Sequence, residues 1–406
     1  MITKSDIKLK TKNGIQYFYK RIELGRNPID GKRIQKEFYS RDAKELIKKV
    51  NEYLALKNQH IDPDSKETFG QFMNYWLINV KFMATLKNST KERYLGIFNN
   101  YIINPEKFLT SNKKTIVNSH KLQIANIPML KIDMRCLQDY YNALYMSGVT
   151  VSTLESINKL LSPCIKYAYV NNTIVKDFSV GLTIPNHKQE RKRKKEAKND
   201  PKNFFSSEEK KIFLESIKDN REKLLYRIGF SLGLRLGELL GLRWSDIDLD
   251  EGTLTISTSV RREKDPITGI SQLVLTSLKT DSSYSTLYIP SFLIPEIKEH
   301  KLKQDKEKEL ASNLYINNSL VFATEFGKII EPSNIRKRYK KLLLSASLPN
   351  KTLHALRHTC ATNLMELNLN SKEIKYIMRH ADESITEGYI HISDERKREI
   401  ANIITL

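Results

Sequence analysis

The stretches HALRHTCAT, His354–Thr362, and MRHADESITEGYIH, Met378–His391, decide how this chain is read. His354 and Arg357 stand at i and i+3, so on a helix an imidazole and a guanidinium share one face. His380 precedes Tyr389 by nine residues, with Ala381-Asp382-Glu383-Ser384 supplying a turn between two helices. Upstream, Arg235 lies in SLGLRLGELLGLRW, Ser231–Trp244, where Glu238 stands three residues on and can orient a neighbouring cation. Lys279 lies in SLKTDSSYSTLYIP, Ser277–Pro290, between strand-like runs. Each element alone is weak, because an HxxR pair is more often a surface helix pair than a site. Nucleotide-binding glycine loops, zinc-spaced Cys/His sets and the serine-hydrolase elbow are absent from the sequence.

The segment carrying these motifs opens at Phe204-Phe205-Ser206-Ser207-Glu208-Glu209, where Ser206 or Ser207 caps a helix. It reads as largely helical, with strand-like stretches at 252–260, 270–278 and 284–290. In front of it runs KQERKRKKEAKNDPK, Lys188–Lys202, with 8 basic and 3 acidic residues. That segment is too charged to pack and reads as an extended linker. Residues 68–180 carry apolar stripes of helical period, among them Phe69, Phe72, Met73, Trp76 and Leu77, and later Leu154, Ile157, Leu160, Leu161 and Ile165 after Ser152. The stripes read as core, and residues 105–128, which break the pattern, as a loop insertion. Before the break at Asp62-Pro63-Asp64, three short runs alternate in the strand period: Ile7 and Leu9; Ile15, Tyr17 and Tyr19; Ile34, Phe38 and Tyr39. Turns at Lys12-Asn13-Gly14 and Asn27-Pro28-Ile29-Asp30-Gly31 separate them, and a helix follows with Ser40 as its cap.

The 406 residues hold 68 Lys and Arg against 47 Asp and Glu, a net charge of +21. The first 60 residues alone hold 15 basic and 7 acidic residues. With a second excess in the linker, the charge favours an extended polyanion, nucleic acid, over a solvated basic surface or anionic lipid. No apolar run approaches the roughly 18 residues of a membrane span, and the N-terminus lacks a signal-peptide layout. Three scattered cysteines, Cys136, Cys164 and Cys360, fit reduced thiols. The expectation is a cytoplasmic protein.

In their order and spacing, Arg235 with GELLGLRW, Lys279 before a strand, HALRHTCAT, and His380 followed by Tyr389 strongly resemble the tyrosine recombinase, or phage-integrase, family. The match in motif order covers roughly 204–398. Residues 68–180 look like the family's helical core-binding domain, and residues 1–60 like the arm-binding domain of integrases from conjugative transposons and phages of Gram-positive bacteria. The resemblance implies that Tyr389 attacks a DNA phosphodiester, forming a 3′-phosphotyrosine and freeing a 5′-hydroxyl. It implies that Arg235 and Arg357 hold the non-bridging oxygens, Lys279 protonates the leaving 5′-oxygen, His354 moves a proton, and His380 adds a hydrogen bond. Glu238 looks like the carboxylate behind them. Independently of the family, two guanidiniums offer planar bidentate donors for phosphate oxygens, and they do the work a metal ion does at other phosphoryl-transfer sites. No metal and no cofactor is called for. Two departures stand out: Arg379 where the family usually has Gly before the histidine, and Ser283-Tyr284-Ser285 in place of Ser-x-Arg. Tyr284 and Tyr376 are passed over as nucleophiles because neither follows His380 at the family spacing.

The expected architecture is multidomain α+β. Residues 1–62 form an arm-type DNA-binding domain of three strands and a helix, 66–185 a helical (SAM-like) core-binding domain, 186–203 a basic linker, and 204–406 a mainly α catalytic domain with a small β-sheet, the DNA breaking-rejoining enzyme fold. Lys20, Arg21, Lys32, Arg33 and Lys36 of the first domain, with Arg191, Lys192 and Arg193 of the linker, are the candidate DNA contacts. The expected function is a site-specific recombinase that integrates and excises a mobile element. The alternatives are a Xer-like recombinase or topoisomerase of the same chemistry, or a non-catalytic sequence-specific DNA-binding protein. Expected partners are double-stranded DNA at core and arm sites, three further protomers in a tetramer on DNA, an excisionase and a host DNA-bending protein. The location implied is a bacterial cytoplasm, at the nucleoid, with no membrane. The tail after Tyr389 ends in Ile400, Ile403, Ile404 and Leu406, an apolar patch to be buried in its own domain or, on the hypothesis adopted here, against an adjacent protomer.

Overall fold

The alternating first segment forms an antiparallel sheet in the order β1 (Lys8–Lys12), β2 (Ile15–Arg26), β3 (Arg33–Ser40). Asn13 and Gly14, at φ 52° and 74°, close the first hairpin in the left-handed pair of conformations that favours Asn-Gly. Helix α1 (Ala43–Asn58) buries Leu46, Val50 and Tyr53, and the Phe38 ring of β3 meets Tyr53 edge-on at 5.1 Å. The cap of α1 is Asp42 and not Ser40: the Asp42 carboxylate accepts from the N–H groups of Lys44 and Glu45. Ser40 is still paired with Phe18 in the sheet, and its hydroxyl donates to Glu45. A computed structural model describes residues 1–185, 204–265, 268–277, 285–379 and 392–404. It divides into two units, Met1–Asn186 and His187–Leu406.

The rest of the first unit is helical: α2 (Phe69–Trp76), α3 (Asn88–Ile97), α4 (Pro105–Ser111), α5 (Ser119–Leu122), α6 (Met134–Met146) and α7 (Val151–Val170). Its core joins Phe69, Trp76, Tyr140, Tyr141, Leu161 and Ile165 with their neighbours. The expected loop insertion at 105–128 is instead packed structure. It holds α4 and α5 and buries Leu109, Leu122, Ile124 and Ala125 in the same core. Helices of one or two turns are too short to display a 3.6-residue period, so the pattern is invisible in sequence. Helix α7 starts one residue earlier than Ser152, capped by the hydroxyl of Thr150.

In the second unit Ser206 caps α8 (Ser207–Glu215) through a reciprocal bond with Glu209. Then follow α9 (Asn220–Leu232), α10 (Leu236–Gly241), strands β4 (Ile247–Asp248), β5 (Thr253–Ile256), β6 (Thr258–Lys264), β7 (Ser271–Ser277) and β8 (Ser285–Tyr288), and helices α11 (Ile294–Ala311), α12 (Pro332–Ser345), α13 (His354–Glu366), α14 (Ser371–Met378) and α15 (Asp394–Ile403). The stretch 252–260, expected as one strand, is two. β5 lies between β4 and β8, while β6 pairs only with β7 among the described residues. Thr258 donates its hydroxyl to the Gly241 carbonyl, which ties the start of β6 to α10. The fold is mixed α+β, as expected, and no helix among the described residues is long and apolar enough to cross a membrane.

Two features of this unit set the site. Gly237 and Gly241, one helical turn apart, let α10 lie directly on β6. A Cβ at Gly237 would sit 2.7 Å from the Val260 carbonyl oxygen, and one at Gly241 would sit 2.9 Å from the Ser259 Cα. The second feature is the tail. Ile400 and Ile404 are buried in cis, in a cluster with Cys360, Leu364, Leu369, Ile377 and Met378, while Ile403 stays exposed and Leu406 lies outside the described residues. Arg396 to Glu373 and Arg398 to Glu251, each at 2.8 Å, hold the helix down. An apolar groove in the same chain covers Ile400 and Ile404.

The contact of α10 with β6 yields a test. Gly241→Ala pushes a methyl group into strand backbone that has no side-chain rotamer to yield. The expected loss is about 1–3 kcal/mol in chemical denaturation.

Candidate active site

Arg235 occupies the N-cap position of α10, where its extended backbone (φ −72°, ψ 151°) turns the chain out of α9. Glu238, one turn on, closes two bonds at 2.9 Å: its Oε2 accepts from the Arg235 N–H and its Oε1 from Arg235 Nη1. The Glu238 carboxylate is buried, whereas the Arg235 side chain is 51% exposed and presents its remaining donors outward. Burial opposes ionisation of Glu238, but Arg379 and Arg235 outweigh it and hold the carboxyl below its usual range.

Arg357, 3% exposed in the first turn of α13, lies deeper. Its Nη1 donates to the Gly233 carbonyl at 2.6 Å and its Nη2 to the Met378 carbonyl. Gly233 is the left-handed C-cap of α9, at φ 60°, and Met378 ends α14, so one guanidinium ties together the ends of two helices. Burial, then repulsion from Arg235 and Arg379, pulls the Arg357 pKa down to about 10. His354 begins α13, its ring at right angles to His358 with centroids 4.7 Å apart.

Arg235, His354 and Arg357 line one cleft of 610 Å³. Three cations that sequence reasoning did not single out line it as well: Arg336, Lys340 and Lys351. Arg336 and Lys340 are one turn apart on α12, a spacing legible in sequence beside the buried Ile335 and Tyr339. Lys351 has no such signal. Its ammonium donates to the Phe204 carbonyl at 2.7 Å and pairs with Glu209 at 3.2 Å, contacts that only the folded chain assembles.

Lys279, His380 and Tyr389 lie outside the described residues, as do Arg191, Lys192, Arg193 and Tyr284. Tyr376 is committed elsewhere: its hydroxyl donates to the Thr286 carbonyl, and burial, with Tyr288 and Asp394 nearby, raises its pKa to about 12. Arg379 shows why its position suits glycine, for it sits in the left-handed region at φ 49°. Its side chain turns inward and donates to Glu238 Oε2 at 3.0 Å.

The N-terminal sheet sorts the other candidates. Register places Lys8, Lys10, Lys12, Tyr17, Tyr19, Arg21, Glu37 and Tyr39 on the face away from α1. Lys10 Nζ lies 4.9 Å from the Tyr19 ring centroid, and Arg21 Nε donates to Glu37 at 2.9 Å. Hydrogen bonds from Tyr39, Arg21 and Tyr19 hold the Glu37 carboxyl down to about 2. Arg33 shares this face, while Lys20 and Lys36 lie on the α1 side, Lys36 paired with Asp64. Lys32 lies between the strands and pairs with Asp30 at 3.4 Å. The lysines at 8, 10 and 12 were missed although their period-two spacing announces one sheet face.

With this geometry in place, the relatives are informative. The sequence pattern of the phage integrase family matches residues 203–396. A tyrosine recombinase XerC-like protein of Caldanaerobacter subterraneus subsp. tengcongensis is 34% identical over 400 residues, covering 95% of each chain. The integrase of Staphylococcus phage L54a is 28% identical over 343 residues, 80% of this chain and 94% of that one. Among solved structures, the Tn1549 transposon integrase in complex with transposon right end DNA superposes with a TM-score of 0.58 at 17% identity, over 82% of this chain and 98% of that one. A lambda integrase tetramer bound to a Holliday junction gives 0.50 at 16%, over 94% and 97%. The chain belongs to the phage integrase family of tyrosine recombinases. It is an enzyme that cuts and rejoins DNA, acting as a site-specific recombinase.

Arg357→Lys keeps the charge but loses the fork that reaches two carbonyls at once. Denaturation is expected to show a loss of about 1–3 kcal/mol, and covalent protein–DNA complex on a nicked substrate to fall about 100-fold or more.

Proposed function

We propose that this recombinase integrates and excises a mobile genetic element, with Tyr389 as nucleophile. The cleft where Arg235, His354 and Arg357 converge carries the reading. The Tyr389 oxygen bonds to phosphorus as the bond to the 5′-oxygen breaks. Arg235 and Arg357 neutralise the non-bridging oxygens, and His354 takes part in proton transfer from the phenol. His380 adds a hydrogen bond, and Lys279 delivers a proton to the leaving 5′-oxygen. The phosphotyrosine conserves the bond energy, so the freed 5′-hydroxyl of another strand can reverse the step without ATP. Rejoining is the same chemistry run backwards.

The division into residues 1–62, 66–185, 186–203 and 204–406 belongs to the same proposal. The basic, aromatic face of the N-terminal sheet supports an arm-site reader, since a β-ribbon fits a major groove. Its ion pairs are exposed, worth little, and exchangeable for phosphate. Lys8, Lys10 and Lys12 join Arg21 and Arg33 as its proposed contacts, and Arg191, Lys192 and Arg193 as phosphate contacts of the linker. The named substrates of the relatives, transposon right end DNA and a Holliday junction held by a tetramer, support a tetramer on core DNA here. An excisionase, a host DNA-bending protein and a cytoplasmic, nucleoid-associated location complete the proposal. The similarity to a XerC-like protein extends over 95% of both chains, and the Xer-like alternative is weighed by whether arm-site DNA is bound.

Two experiments test it. On a nicked suicide substrate carrying the crossover site, the wild-type chain should trap as a covalent complex and Tyr389→Phe should not; an adduct with the variant removes Tyr389 as nucleophile. Deleting residues 1–62 should abolish arm-site binding in a mobility-shift assay and spare cleavage of an isolated core site. If arm-site binding survives the deletion, the sheet has no such role.

A further inference from the structure

Three guanidiniums, not two, surround the buried carboxylate of Glu238. Arg235 and Arg379 bond it directly, at 2.9 and 3.0 Å, and Arg357 is close enough for both arginines to depress its pKa. Arg379 is the unusual member. Its side chain is 5% exposed, and its Nε and Nη1 are buried with no acceptor among the described residues. It holds a left-handed backbone at φ 49°, which is unfavourable for a residue with a Cβ. A buried arginine kept in a strained conformation, with two donors unmet among the described residues, is poor stabilising material, so its bond to Glu238 needs a reason.

Charge supplies one. Arg235, Arg357 and Arg379 against Glu238 leave a net charge of +2. Without Arg379 the same cluster carries +1, because Glu238 then neutralises Arg235. A DNA phosphodiester carries one negative charge, and the pentacoordinate species formed when an oxygen adds to it carries two. Arg336, Lys340 and Lys351 add to the field of the same cleft, but each positive charge beside the phosphate favours the doubly charged transition state over the singly charged substrate, and Arg379 adds one such charge. Glu238 also caps α10 and bonds the Arg235 fork, and a glutamine in its place keeps one acceptor oxygen for the cap.

We propose that Arg379 is a positioning residue for strand cleavage, which by engaging Glu238 releases the charge of Arg235 to the scissile phosphate without touching the DNA. The role rests on the reading that Arg235 and Arg357 bind that phosphate. Glycine, which suits the left-handed backbone, lacks this function, so the departure from the family's usual residue has a consequence for rate and not for folding alone.

The test uses the full chain and a nicked suicide substrate, scoring the first-order rate of covalent complex formation separately from the Kd for DNA. Arg379→Gly relieves the backbone strain and should lower the rate about 10–100-fold, which corresponds to one charge interaction of roughly 1.4–2.7 kcal/mol. Its Kd should change less than about threefold, because differential transition-state stabilisation does not act on ground-state binding. Arg379→Lys should recover part of the rate. The discriminating variant is Glu238→Gln combined with Arg379→Gly, which restores +2 and should react faster than Arg379→Gly alone. A wild-type rate for Arg379→Gly overturns the inference, as does a double variant no faster than that single variant. Arg235→Lys is the control: if it too cleaves at the wild-type rate, the failure belongs to the phosphate-binding reading itself.

Discussion

The buried guanidinium of Arg357 is the constraint around which the second unit is arranged. One planar fork bonds the Gly233 carbonyl at the end of α9 and the Met378 carbonyl at the end of α14. Both carbonyls belong to helix ends, where the backbone has no partner of its own and the helix dipole is negative. A cation there satisfies orphan acceptors and is itself stabilised, so the chain accepts the desolvation of an arginine that is 3% exposed. The same pair of bonds fixes α13, which carries His354 into the cleft that Arg235 also lines.

Around that anchor the packing serves placement. Gly237 and Gly241 remove side-chain bulk where α10 crosses β6, and this close approach sets the height at which Arg235 enters the cleft. Phe213 meets Tyr226 and Tyr339 edge to face beneath, with centroids 5.2 and 5.4 Å apart, and Tyr226 lies tilted against Tyr339 at 5.9 Å, giving α12 a rigid seat. Arg336 and Lys340 project from that helix into the same cleft. The positive charge lining this cleft is thus carried on helices held by a dense core.

The tail is joined to the site through the helices it packs on. Its apolar residues Ile400 and Ile404 find cover on α13 and α14 of the same chain, reinforced by the Arg396–Glu373 pair. Because α14 also supplies the Met378 carbonyl to Arg357, the tail packs on an element that belongs to the site. Packing of the terminus and geometry of the arginine cluster are therefore linked through one short helix.

Much of this protein was settled by residue pattern alone. Alternation of period two marked the three N-terminal strands, helical spacing marked the long helices, and the ordered motifs from Arg235 to Tyr389 identified the family, because those signals are local or depend only on order along the chain. Tertiary structure decided what depends on neighbours distant in sequence. The helices within 105–128 are too short to show a period and exist because the core of the first unit covers them. The division of 252–260 between two sheets follows from the Thr258–Gly241 bond, which no strand pattern encodes. Which lysines of the first sheet face outward depended on register, and the packing of the tail depended on a groove formed by α13 and α14. Arg379 illustrates the limit most sharply. In sequence it is a substitution for glycine; only the fold places its guanidinium on Glu238, 141 residues away, because burial and charge are properties of the surroundings and not of the residue.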